Sequence, residues 1–308
     1  MPAFAKLSGL VAATHTPFGP DGSLNLGVVE KQAEHLAASG VATAFIGGTT
    51  GESSSLTVNE RLALGERWMA ATKGSTLNVI VHVGANCLAD ARALAAQAES
   101  LKAAGVSALA PSYFKPGSMS TLVDSMAAIA SACPSLPFYY YEIPSMTGLS
   151  LSPSDFLAAA GEKIPNLAGI KFTSNNLVEY QLCREAAGGR FDIPFGFDEM
   201  LLASLALGAT SAVGSSYNFA APIYLRVIDA FKKGDFETAR KEQFASVELI
   251  RILAKLGYMA AAKATMGMLG VDVGAPRLPN GALKAEQVAS LRKELEEWGF
   301  FQKLSARA

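Results

Sequence analysis

Residues 167–172 read Leu-Ala-Gly-Ile-Lys-Phe, a six-residue run that is apolar apart from Lys171. The run is short and shows no polar alternation, so it predicts a strand covered on both faces. Seven further short runs of the same kind lie around it, at 10–13, 43–46, 78–83, 107–110, 137–141, 192–197 and 211–214. Longer segments rich in Ala, Leu and charge, with helical spacing, separate them, among them 25–39, 58–72, 88–104 and 121–132. Apolar strands alternating with helices imply a parallel sheet covered on both sides. Eight such units in about 230 residues are the content of an α/β fold closed into a (β/α)8 TIM barrel. An open doubly wound sheet is the alternative arrangement of the same units.

Strand-like runs stop near Phe231, and the remainder of the chain reads as helices over 235–256, 258–269 and 284–298, with a loop at 274–280. Phe244, Val247, Leu249, Ile250, Ile252 and Leu253 make the first of these too apolar for a solvated tail. The expected organisation is a catalytic barrel over 1–232 and a C-terminal helical extension over 233–308, packed on the barrel or on another subunit.

Composition narrows the ligand. Of 308 residues half are hydrophobic and 17% are charged, against about 25% charged in an average soluble protein, which excludes a disordered chain. The 26 basic and 27 acidic side chains show no basic run, so neither nucleic acid nor a membrane surface is expected as a partner, and a small molecule is. Cys87, Cys133 and Cys183 are odd in number and far apart, which argues against a disulfide framework and for a reducing cytoplasm. The first 18 residues are weak as a secretory signal. The stretch between Glu199 and Arg226 carries no charge and is long enough to span a bilayer. However, Gly208, Gly214, Asn218 and Pro222 would break it in mid-membrane. It reads instead as a helix at 200–207 feeding the strand at 211–214.

His15, His35 and His82 have no metal-pair spacing, and the chain has no HExxH, CxxC, GxSxG or GxxxxGK[ST] motif, so no metal is expected. In a TIM barrel the chemistry lies at the C-terminal ends of the strands, and Lys171 is at the end of the sixth run. Burial lowers a lysine's pKa and frees the amine as a nucleophile; a strand-end lysine that snorkels to water is the competing reading. Lys263 is also in apolar surroundings, but it lies in the helical extension with no barrel mouth to serve. Tyr141, at the end of the fifth run, is within plausible reach of Lys171 and can pass a proton. Alternation along a strand forbids Tyr139, Tyr140 and Tyr141 from all facing inward, and Tyr140 is assigned to packing. The hexapeptide GGTTGE at 47–52 comes after the second run, where its amides and hydroxyls could hold a carboxylate. Strand-to-helix turns favour these residues in any case.

Taken together, GGTTGE, YYYEIPSMTG (139–148), GIKFTS (169–174), PFGFDEMLLASLALGA (194–209) and AVGSSYNF (212–219) resemble the N-acetylneuraminate lyase family. That family lies within the Schiff-base pyruvate aldolases that include dihydrodipicolinate synthase. The resemblance runs from Leu7 to the GAPRLP segment at 274–279. It implies Lys171 as the imine-forming lysine, Tyr141 as the proton-transferring tyrosine, and Thr49 and Thr50 as carboxylate holders. It places Thr173, Gly196, Asp198, Glu199 and Ser215 around the sugar chain, and Tyr113 at a neighbouring subunit's site. The implied reaction is reversible cleavage of N-acetylneuraminate to pyruvate and N-acetylmannosamine by a homotetramer, with no metal or organic cofactor.

Two positions depart from the pattern. Glu142 stands where the lyases carry Asn or His, and is expected as a solvated group at the mouth or as a tuner of sugar selectivity. Met146 stands where the synthases carry a carboxylate-binding arginine, which argues against synthase activity. Another pyruvate-dependent aldolase acting on a different sugar acid, and a non-catalytic sugar-acid-binding barrel, are the alternatives. Asp198 could instead cap the helix beginning near Met200.

Overall fold

A computed structural model describes residues 4–305. The outer ends of the two-part division, at 1–3 and 306–308, and the start of the segment weighed as a signal lie outside the described residues. Seven parallel strands form one curled sheet: β1 (Gly9–Ala13), β2 (Thr43–Ile46), β3 (Asn78–His82), β4 (Gly105–Leu109), β5 (Phe138–Glu142), β6 (Leu167–Phe172) and β7 (Ser211–Gly214). Their order is β6-β5-β4-β3-β2-β1-β7.

The eighth expected strand, 192–197, is not a regular strand. It closes the barrel between β6 and β7 through isolated parallel bridges, Gly169 to Asp192, Phe172 to Phe195 and Phe195 to Ala212. Pro194 is the physical reason. Its carbonyl accepts from the Phe172 amide at 3.0 Å, but it has no N–H to return, so the ladder is interrupted at the middle of the segment. With this segment the molecule is a TIM-type α/β barrel succeeded by C-terminal helices.

Alternation sorts the side chains into two layers. Val11, Ala13, Phe45, Ile80, Tyr141, Ile143 and Val213 pack together inside the barrel. Leu10, Ala12, Ala44, Ile46, Val79, Val81, Phe138 and Ile170 point outward into the larger core shared with the helices. Each buried aliphatic or aromatic side chain contributes about 1.5–3 kcal/mol, so this outer shell is the main support of the barrel. Tyr140 belongs to it, with its ring 4.6 Å from that of Phe156, as alternation requires.

Helices Phe236–Ala254, Tyr258–Met268 and Ala285–Trp298 come after the barrel, with a short Phe300–Ser305 behind them. Gln243 ties the first to the barrel top, accepting from the Leu202 amide at 2.7 Å and donating to the Asp198 carbonyl at 3.2 Å. Among the described residues no helix is long and apolar enough to cross a membrane. The uncharged stretch between 199 and 226 divides into helix Leu201–Ala206, β7 and the start of helix Tyr217–Lys232.

Candidate active site

The parallel register of β5 and β6 sets Tyr141 opposite Lys171, and both side chains face the barrel interior. Lys171 is only 4% exposed. Its Nζ lies 3.4 Å from the centre of the Tyr141 ring and 5.1 Å from that of Phe45, and it donates to Thr173 Oγ1 at 3.3 Å. The amine therefore does not snorkel to water. Burial holds its pKa well below the usual lysine range, against the opposing pull of the Asp198 and Glu142 charges.

Tyr141 is fixed on several sides. Its ring meets Phe45 and His82 edge-on, at 5.8 and 5.7 Å, and its hydroxyl shares a hydrogen bond of 3.2 Å with Thr49 Oγ1. Burial pushes the phenol up to about 12, while hydrogen bonds with Thr49 and Thr173 pull it down, so it is a neutral phenol that can accept one proton as it gives up its own. Thr49 and Thr50 sit half-buried on the GGTTGE turn. That turn needs its glycines: a Cβ on Gly48 would lie 2.6 Å from Phe45 Cε1, and Gly47 has a φ of +62°.

Glu142 is not the solvated group expected from sequence. It is buried, as the last residue of β5 on the side to which Phe138 and Tyr140 alternate. Its Oε2 accepts from the Thr173 amide at 3.1 Å. Desolvation pushes its carboxyl up to about 7, opposed by that amide and by Lys171.

Thr173 is flanked by Gly196, where any Cβ would run into Thr173 Oγ1. Asp198 is buried over the Cα of Gly214, and a side chain on that glycine would displace its carboxylate. Asp198 does not cap its own helix: its Oδ2 accepts from the Ser216 amide at 2.8 Å and from the Ser216 hydroxyl, at the start of helix Tyr217–Lys232. Burial raises this carboxyl to about 7. Glu199 lies half-buried next to it, and Ser215 Oγ is 2.7 Å from the Tyr258 hydroxyl. Tyr113 stands outside this group, 78% exposed and edge-on to the 85% exposed Phe114 at 5.0 Å.

Four contributors, Phe45, His82, Ser216 and Tyr258, were not singled out from sequence as parts of the site, although His82 lies against the Tyr141 ring. Phe45, the second wall around the amine, shares the inward alternation of β2 and could have been found by it. Ser216 and Tyr258 could not, since their partners are distant in the chain. Lys263 lies in the helical extension, as expected, on helix Tyr258–Met268, and it is buried against Glu52 of the GGTTGE turn, Nζ to Oε1 3.0 Å.

Such a group can form an imine at Lys171 and move a proton at Tyr141. Residues 6–298 match the Dihydrodipicolinate synthetase family. The chain belongs to that family. Within it, the sequence is 40% identical to the N-acetylneuraminate lyase of Gallus gallus, over 94% of this chain and 96% of that one. The N-acetylneuraminate lyase of Proteus mirabilis superposes with a TM-score of 0.93 at 45% identity, covering 96% of this chain and all of that structure. The sialic acid aldolase of Aliivibrio salmonicida superposes with a TM-score of 0.94 at 44% identity, over 96% and 98% of the two chains.

Proposed function

We propose that this protein is a Schiff-base aldolase that reversibly cleaves N-acetylneuraminate to pyruvate and N-acetylmannosamine. The observation that carries the reading is the buried Lys171 amine, walled by Tyr141 and Phe45, in a family member that is similar to N-acetylneuraminate lyases over nearly its whole length.

In this mechanism the neutral amine of Lys171 adds to the C2 ketone of the open-chain sugar acid, and the adduct takes up one proton from solvent and loses water to give a protonated imine. Tyr141 accepts the C4 hydroxyl proton while its own phenolic proton passes on toward the substrate carboxylate held near Thr49 and Thr50. The C3–C4 bond breaks, the C4 oxygen becomes the aldehyde of N-acetylmannosamine, and the bonding pair flows from C3 to the iminium nitrogen as an enamine. Protonation at C3 and hydrolysis then release pyruvate and restore the amine. Asp198, Glu199, Ser215, Thr173 and Gly196 are assigned to the hydroxylated tail, where acceptors match donors in a way an apolar pocket could not.

The barrel of residues 1–232 carries the chemistry in this reading, and the helices of 233–308 brace its mouth. A homotetramer in a reducing cytoplasm is the setting we assign. Exposed Tyr113, Phe114, Val178 and Leu182 suit contact with further subunits, with Tyr113 reaching a neighbour's site, and the three free thiols suit that compartment.

The test is incubation with N-acetylneuraminate and measurement of released pyruvate, with a parallel reaction of pyruvate and aspartate semialdehyde. Pyruvate release with no condensation product in the second reaction is expected. The reverse pattern, or no turnover of the sialate, overturns the assignment.

A further inference from the structure

Lys263 is the second lysine of this chain in apolar surroundings, and its partner sits on the same turn as Thr49 and Thr50. The side chains of Lys263 and Glu52 are 1% and 0% exposed. Beyond the 3.0 Å ion pair, Lys263 Nζ donates to the Thr16 carbonyl at 2.9 Å and the Ala275 carbonyl at 3.2 Å. Glu52 uses its other oxygen to accept from the Arg277 amide at 2.9 Å and from Asn280 Nδ2 at 3.4 Å. Thr16 in turn donates its hydroxyl to the Gly51 carbonyl at 2.6 Å. All three donors of the ammonium and both carboxylate oxygens are thus engaged, so the pair has a single arrangement available.

The backbone at this point supports a positioning role. Glu52 has φ +53° and ψ 37°, a left-handed conformation that a residue with a side chain holds only where its surroundings over-determine it. Its amide donates to the Thr49 carbonyl at 3.0 Å, so the conformation of Glu52 is transmitted directly to the residue whose hydroxyl faces Tyr141. We propose that the buried Lys263–Glu52 pair positions the carboxylate-holding turn, clamping residues 49–52 to helix Tyr258–Met268 and so fixing the Thr49 hydroxyl against Tyr141. This inference rests on the reading of Thr49 and Thr50 as holders of the pyruvyl carboxylate.

The experiment is steady-state kinetics in the synthetic direction, varying pyruvate at saturating N-acetylmannosamine and then the reverse, with thermal unfolding run alongside. Lys263→Met or Glu52→Gln alone strands or weakens a buried charge and is expected to lose folded protein. The double variant Lys263→Met/Glu52→Gln removes both charges together, and is expected to fold with the KM for pyruvate raised about tenfold, the size of one misplaced hydrogen bond. The KM for N-acetylmannosamine should stay within about twofold of wild type, which merely structural damage would not spare. Thr16→Ala keeps the pair but releases the Gly51 carbonyl, and should raise the pyruvate KM by about threefold in a folded chain.

An unchanged pyruvate KM in the folded double variant and in Thr16→Ala overturns the proposal, as does an equal deterioration of both KM values. Trapping of a pyruvate adduct by borohydride separates the two levels. A wild-type chain that forms the adduct while the variants keep their pyruvate KM overturns the positioning role alone, whereas a wild-type chain that forms none overturns the functional reading as well.

Discussion

Replacing Glu142 by Gln should stabilise the protein at alkaline pH. The carboxyl is buried at the end of β5 and is pushed from 4.5 up to about 7, first by desolvation and then by the Glu179 charge, against the Thr173 amide and Lys171. At about 1.4 kcal/mol for each tenfold change in the ionisation constant, holding this group ionised in the folded state costs about 3 kcal/mol. Proton binding sets the direction of the effect. Below pH 4.5 the folded and unfolded chains both keep the proton, and between 4.5 and about 7 the unfolded chain gives it up first, so wild-type stability falls with rising pH; above about 7 the loss is complete. Glutamine has the shape of the protonated acid and retains an oxygen to accept from the Thr173 amide. Urea unfolding of wild type and Glu142→Gln at about pH 4.5 and about pH 8 should give equal stabilities at the lower pH and an advantage of about 3 kcal/mol for the variant at the higher one. Asp198 titrates in the same range but is present in both proteins, so it cancels in the difference. Superimposable stabilities at both pH values, or a variant that is weaker at the higher pH, would show that the buried carboxyl does not carry this cost.

Three further outcomes are expected. Tyr141→Phe should form the pyruvate imine at Lys171 normally but cleave N-acetylneuraminate roughly 10²–10⁴ times more slowly, the effect of removing a positioned proton-transfer group; stopped-flow turnover set beside adduct formation separates the two steps. Gly214→Ala should push the Asp198 carboxylate out of its place and, like Asp198→Ala and Glu199→Ala, weaken N-acetylneuraminate turnover by about tenfold or more, with the borohydride-trapped pyruvate adduct retained; unchanged sialate kinetics in all three at normal stability would remove these residues from the sugar pocket. The rate of adduct formation should rise with pH through the lowered pKa of Lys171 and level off below the usual lysine range; a titration midpoint at the ordinary lysine value contradicts the burial of the amine.

The barrel was legible because its signals are local. Leu167–Phe172, Thr43–Ile46 and Ser211–Gly214 are strands at the bounds that their apolar runs predict, and strand alternation correctly sent Tyr140 outward and Tyr141 inward. The same rule applied to Glu142 would have buried it with Tyr140, but the expectation for a charged residue at a strand end prevailed. Pro194 could have warned that 192–197 would not hold a continuous ladder. Asp198 could not be read so easily: a carboxylate beside a helix start looks like a cap, and its real partner, Ser216, is 18 residues on. Lys263 and Glu52 are 211 residues apart, and no spacing rule joins them. Pairings of this kind are set by the closure of the barrel and the return of the C-terminal helices, which a pattern read along the chain does not contain.

Whether Lys171 forms the imine can be decided by incubating the protein with pyruvate and borohydride and then applying intact-mass analysis and peptide mapping, because borohydride converts an imine into a stable secondary amine. One adduct per chain, located on Lys171, and none in Lys171→Ala, is the expected result. An adduct on Lys263 with Lys171 untouched, or no adduct on the wild-type chain, would contradict the assignment of Lys171 as the nucleophile.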